Sequence, residues 1–147
     1  PCQLGVLSIS QVKACNYWIG TSNNGTNTVT VFVDDTGTNA GLAKGAGATN
    51  NIADVADGTV TAGSEEYGFS VTTAGGYTAQ GTFGTQYNGV PNGATPTAFM
   101  TVAGVHDYVA AAGAGNRSQV THQASINAAV EAGSYVNDLT YTAMTTN

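Results

Sequence analysis

The side chains of this chain that can do chemistry are few: two Cys, two His and nine Asp or Glu, against three Lys and Arg. Cys2 and Cys15 bracket the first apolar stretch. In an oxidising compartment an even count predicts that they pair, which would pin the N-terminal segment and contribute ~3 kcal/mol through loop closure. Two free thiols, or bonds to neighbouring subunits, are the alternatives. Two Cys without nearby His do not make a tetrahedral metal set. The carboxylates fall in small groups, Asp34-Asp35, Asp54 with Asp57, and Glu65-Glu66. Asp34, Asp35, Asp54 and Asp57 together could offer oxygens to calcium, but no spacing matches an EF-hand loop, and solvated turn residues are the expectation. A glycosidase needs two carboxylates across a cleft, and a chain with nine acids always contains such a pair on paper.

His106 and His122 fall on separate strands, and adjacent His106-Asp107 would point to opposite faces. No serine sits in a G-x-S-x-G elbow. The glycine-rich pieces Gly41-Leu42-Ala43-Lys44-Gly45 and Gly113-Ala114-Gly115 lack the order of a phosphate loop. The expectation is a protein with no catalytic site, no metal and no cofactor, hence not an enzyme. Two sequons, Asn24-Gly25-Thr26 and Asn116-Arg117-Ser118, lie in expected loops and are glycosylation candidates; threonine-rich tracts could carry O-linked sugar instead.

The elements that must position these residues follow from composition. Only 8% of the 147 residues are charged and the net charge is -6, against about 25% charged residues in an ordinary domain. A helical protein would cover its surface with Glu, Lys and Arg; here the polar surface falls to Thr, Ser, Asn and Gln, and Thr favours strands. Twenty Gly punctuate the chain as turns. The length suits one domain, 1–147, with a real core. Too few cations are present to neutralise phosphates, so no nucleic-acid partner is expected. No apolar run reaches the ~20 residues of a membrane helix, so no membrane insertion is expected. A chain that opens on Pro1-Cys2 without Met reads as a processed product or one that follows an unseen leader.

Period-two alternation marks strands at residues 3–12, 15–19, 28–33, 66–72, 97–103 and 105–109, with shorter ones at 59–61 and 77–79. Residues 36–56 read as a long loop or short edge strands, with a helix conceivable over 51–56. Asn24-Gly25 is a hairpin signal. The clearest pattern is C-terminal. In residues 120–128, Val120, Ala124, Ile126 and Ala128 share one face and Thr121, Gln123, Ser125 and Asn127 the other. Residues 131–134 turn the chain, and Tyr135, Leu139, Tyr141 and Ala143 share a face of the return strand. The pair reads as a hairpin joined by a tight corner. The whole reads as all-β, an antiparallel sandwich of jelly-roll or Ig-like type with about eight to ten short strands.

Within that stretch, Ala132-Gly133-Ser134-Tyr135, then Asn137-Asp138, then Leu139-Thr140-Tyr141-Thr142 resembles the last hairpin of secreted bacterial surface sandwiches, and is similar to the ending of spore-coat-U-like and other pilin-like domains. The likeness covers about one fifth of the chain. It implies a filament subunit that donates a terminal strand into a neighbour's sheet, an open head-to-tail polymer of identical copies. The natural donor is residues 3–12, with Leu4, Val6, Leu7, Ile9 and Val12 as candidate inter-subunit residues; pairing of that segment within its own subunit is the alternative. The function expected is a structural subunit of an extracellular filament or surface coat, its partners copies of itself and covalent glycans. The alternative is a secreted adhesin or carbohydrate-binding module, in which an exposed row of aromatics would hold sugar.

Overall fold

The computed structural model describes residues 1–37, 40–44, 51–90, 92–93, 95–108 and 115–146. Among them there is no helix, and seven strands form: β1 (Lys13–Ile19), β2 (Thr28–Asp35), β3 (Glu66–Thr72), β4 (Tyr77–Ala79), β5 (Thr97–Ala103), β6 (Ser118–Ser125) and β7 (Leu139–Thr146). They build two antiparallel sheets in the orders β1-β6-β3 and β4-β5-β2-β7, a small β-sandwich.

Alternation places the core. Val29, Val31 and Val33 of β2 are buried while Thr28, Thr30 and Phe32 are half-buried on the other face. They meet Phe69 and Val71 of β3, Met100 and Val102 of β5 and Val120 of β6. A register shift between Val31 and Phe32, opposite Met100 and Ala98, leaves Phe99 as the extra residue of β5. Such a bulge disturbs alternation locally, and the adjacent Phe99 and Met100 both join the same core, each with 0% exposure. Phe99 then packs on Phe69, Phe83 and Tyr141 with ring centroids 5.3–5.7 Å apart. A second, smaller cluster of Leu42, Ile52, Tyr67 and Ala124 is joined by Leu4, Leu7, Ile126, Val130 and Tyr135.

The all-β sandwich is as expected, with seven strands among the described residues. Several other expectations are corrected. Residues 59–61 form no strand. In the stretch from 105, Val105 is 73% exposed and His106 makes only a single bridge, to Asn23; Val109, residues 110–114 and Pro91 lie outside the described residues. Residues 51–56 are not helical: Ile52 bridges Leu42 and Asp54 bridges Tyr67. The C-terminal pair is not a hairpin. β6 lies between β1 and β3, β7 pairs with β2, and residues 126–138 cross from one sheet to the other. Asn24-Gly25 likewise turns the chain between sheets, because β1 and β2 do not pair. In both places the local turn signal is right, but the partner is chosen by packing at long range.

The largest correction concerns residues 3–12, which form no strand. Gly5 sits at φ 71°, a left-handed conformation that bends the chain. The one backbone bridge is Ser8 with Gln11. Leu4 and Leu7, instead of alternating, both turn onto the second cluster, while Val6 is 87% and Ile9 56% exposed.

Because Phe99 fills the centre of the interface between the sheets, Phe99→Ala is expected to lower unfolding free energy by about 3–5 kcal/mol. Val105→Ala, at an exposed site, should change it by less than about 0.5 kcal/mol. Urea titration of both variants measures the contrast.

Candidate functional site

Among the described residues, β1 ends its sheet and pairs only with β6, and β7 ends the other and pairs only with β2; the three-residue β4 ends that second sheet on its far side. β3, the remaining edge, is covered by loop backbone: Val71 N donates to Phe83 O at 2.8 Å, Phe69 N to Asn88 O at 2.9 Å and Val55 N to Tyr67 O at 2.7 Å. β1 and β7 face the same cleft, about 1450 Å³ in volume, whose walls include Tyr17, His122 and Tyr141. Residues 1–7 and the crossing segment 126–138 form its rim.

The cleft floor is a chain of hydrogen bonds between rings. Tyr67 Oη lies 2.8 Å from His122 Nδ1, His122 Nε2 lies 3.2 Å from Tyr17 Oη, and Tyr17 Oη lies 2.6 Å from Tyr141 Oη. The rings of Tyr17, Tyr67 and Phe69 stack on the imidazole at 5.2–5.9 Å. Alternation explains the placement: His122 shares the inward face with Val120 and Ala124, and is 6% exposed. Burial lowers its pKa to about 4, so the ring is neutral and has one donor and one acceptor for its two tyrosine neighbours. Burial also raises Tyr17, Tyr67 and Tyr141 above the usual phenol value. The Tyr17–Tyr141 contact ties β1 to β7 across the sheets and sets the width of the cleft.

Cys2 and Cys15 form a disulfide, their Cα atoms 5.6 Å apart. It fastens the N-terminal segment to β1 at the cleft rim. The C-terminal motif has a physical explanation: Tyr135 Oη donates to the carbonyl of Glu131 at 2.7 Å, locking the corner before β7, as a tyrosine corner does in other sandwiches. Val136, at 56% exposure, lies on the same rim.

The other sequence candidates separate. Asn24 is exposed in its turn. Asn116 is half-buried, its Nδ2 donates to Asp107 O at 2.8 Å, and Ser118 of that sequon is fully buried; a glycan there would displace a made hydrogen bond. Val12 is half-buried just before β1. His106 stands edge-on to Tyr77, 4.6 Å between centroids, and lies outside the named strands. Asp57 is a turn residue as expected, accepting from Thr59 N at 2.9 Å. Asp35 is not: it is 2% exposed at the inward end of β2. No group of three or more His, Cys, Asp or Glu converges among the described residues. The sequence reading missed the His122 network, although the strand period already put His122 on the buried face.

No family model, curated protein or solved structure matches this chain.

His122 carries a pH prediction. Its pKa is about 4 when folded and 6.5 in the ordinary state, so the unfolded chain takes up a proton that the folded chain refuses. Its contribution is complete above pH 6.5 and is lost as pH falls toward 4, by roughly 3 kcal/mol. Asp54, raised to about 7, acts in the opposite direction and is common to both proteins compared. The stability advantage of the native chain over His122→Gln should therefore shrink between pH 6.5 and 4; a difference that stays constant in urea titrations would contradict the buried neutral ring.

Proposed function

We propose that this chain is a structural subunit of an extracellular filament or surface coat, and that copies join by adding a β-strand to the open side between β1 and β7. The observation that carries this reading is the pair of unpaired sheet edges flanking one aromatic-lined cleft. Unpaired backbone edges are templates for another chain unless a protein blunts them. β7 spans eight residues and carries no charged side chain, no Pro and no Gly, and Met144 projects from it at 55% exposure. The low charge of the whole surface suits close packing of many copies. The disulfide and the exposed sequon at Asn24 are compatible with life outside the cell.

Residues 3–12 remain the proposed donor, but the disulfide sets a condition. An extended strand of ten residues spans ~33 Å, whereas Cys2 and Cys15 of one chain hold the two ends of this segment together. Donation therefore exchanges the bond as well as the segment. Residues 3–12 leave their own rim and enter the neighbour's cleft, and Cys2 pairs with Cys15 of that neighbour. Exchange of an identical element between protomers is a low-cost route to assembly, and in the neighbour's cleft the segment also straightens into a strand along the open edges. Val6 and Ile9, exposed in the single chain, gain partners in the exchange.

The sugar-binding reading has less to rest on. Trp18 is the one aromatic among the exposed large apolar side chains, and the Arg117 guanidinium covers it at 4.8 Å from the ring centroid. Tyr17, Tyr67, Tyr77 and Tyr141 are spent in the core or on the cleft floor.

The test is negative-stain microscopy with a gel. The native chain is expected to give fibres that run as a covalent ladder without reductant and as a single band with it. Removal of residues 1–12 should abolish fibres while the remaining chain stays folded by circular dichroism. Fibres of normal length from the truncated chain would overturn the donor assignment, and a chain that stays monomeric under every condition would overturn the subunit reading.

A further inference from the structure

One covalent bond does most of the work of holding the N-terminal segment to the fold. Among the described residues, no backbone hydrogen bond joins residues 1–12 to another segment, and their one bridge, Ser8 with Gln11, is internal. The contact between the Ser8 and Ser10 hydroxyls, at 3.5 Å, is internal too. Leu4 and Leu7 pack half-buried on the second cluster, and Cys2 is bonded to Cys15 of β1. Half-buried leucine contacts open and close by local fluctuation. A disulfide exchanges only when a thiolate attacks one of its sulfurs.

The chain cannot supply that thiolate. It has two Cys, and both are in this bond, so a folded, oxidised copy carries no thiol and two such copies cannot exchange their bonds with each other. The attacking thiol must come from another molecule. The bond is within its reach, because Cys2 and Cys15 are each half-buried and both line the open cleft. Glu131 and Asp138 share that wall, and the chain's net charge is -6. A thiol with no further negative charge therefore approaches against the least repulsion.

We propose that Cys2–Cys15 is a thiol-exchange site, and that one external thiol starts an assembly that then propagates by opening the bond of each copy added. The inference rests on the reading of the chain as a subunit that donates residues 3–12. The external thiolate attacks Cys2 Sγ; a mixed disulfide forms there, the Cys2–Cys15 bond breaks, and the electron pair leaves on Cys15 Sγ. The freed segment uncovers that copy's cleft. Its Cys15 thiolate attacks Cys2 Sγ of a second, closed copy, whose residues 3–12 move into the uncovered cleft. One bond forms between copies, one breaks within the second copy, and the thiolate passes to the second copy's Cys15. Each addition repeats this step, so no disulfide is gained or lost and no oxidant or reductant is consumed. The first copy keeps the starting thiol on its Cys2, and the growing end carries a free Cys15.

The test uses the full chain, oxidised and treated with iodoacetamide to remove stray thiols, which is expected to stay dispersed. β-Mercaptoethanol at about one molecule per hundred chains, near pH ~8.5 where a thiol is half ionised, should convert it to fibres. A roughly tenfold higher dose should make them roughly tenfold shorter, because each fibre takes one starting thiol. Iodoacetamide added during growth should stop elongation by alkylating the free Cys15. The double variant Cys2→Ser with Cys15→Ser has no bond to open, and is expected to form fibres without thiol and without a covalent ladder. Fibres from the blocked native chain at the same rate with and without thiol overturn the exchange site and leave the subunit reading standing. A native chain that stays dispersed with thiol while the serine variant assembles does the same. Fibre length indifferent to the dose overturns the propagation step. If neither the thiol-treated native chain nor the serine variant assembles, the subunit reading fails and the exchange site with it.

Discussion

A sheet edge must find partners for its backbone, and in this molecule two long strands, β1 and β7, leave that requirement unmet beside one cleft. β3 satisfies its outer edge with loop residues 53–55, 83 and 88. β1 and β7 do not, and the Tyr17–Tyr141 contact at 2.6 Å keeps the two open edges facing one cleft. A strand entering there would meet backbone on either side and a floor of tyrosine rings around a neutral imidazole. The N-terminal segment and the crossing segment 126–138 stand at the rim, so whatever enters must displace or join them.

The His122 network gives the cleft its shape as well as its polarity. Its rings stack on Phe69, which in turn packs on Phe83 and Phe99 in the main core. The cleft floor is therefore continuous with the interface between the sheets, and a change at either place reaches the other through packed rings. Tyr67 extends the connection to the second cluster, because its backbone holds the segment that carries Asp54 while its phenol holds His122.

Much of the fold is legible in the residues. The all-β class follows from a surface of Thr, Ser and Asn with almost no Lys, Arg or Glu, and the β2, β3, β5 and β6 strands follow from alternation of Val, Phe and Tyr. What the residues do not carry is pairing. Asn24-Gly25 and Ala132-Gly133-Ser134 turn the chain as expected, yet each sends it to the opposite sheet, because the strand that buries most surface lies elsewhere. Residues 3–12 alternate like a strand, but Gly5 and the Cys2–Cys15 bond bend them onto Leu42 and Ile126 instead. The site was less visible. His122 carries its buried face in the period of β6, whereas its tyrosine partners come from β1 and β3, with Tyr141 of β7 beyond them, and only the packing of the two sheets brings them together.

The central claim is that β1 and β7 are the surfaces through which copies join, and hydrogen exchange tests it most directly. In the dispersed chain, amides of β1 and β7 that point away from β6 and β2 should exchange rapidly, while those of β2 and β6 are protected. On assembly the outward amides of β1 and β7 should become as slow as the inner ones. Assembled material in which those two strands exchange as fast as in the free chain, with protection gained elsewhere, would contradict the account.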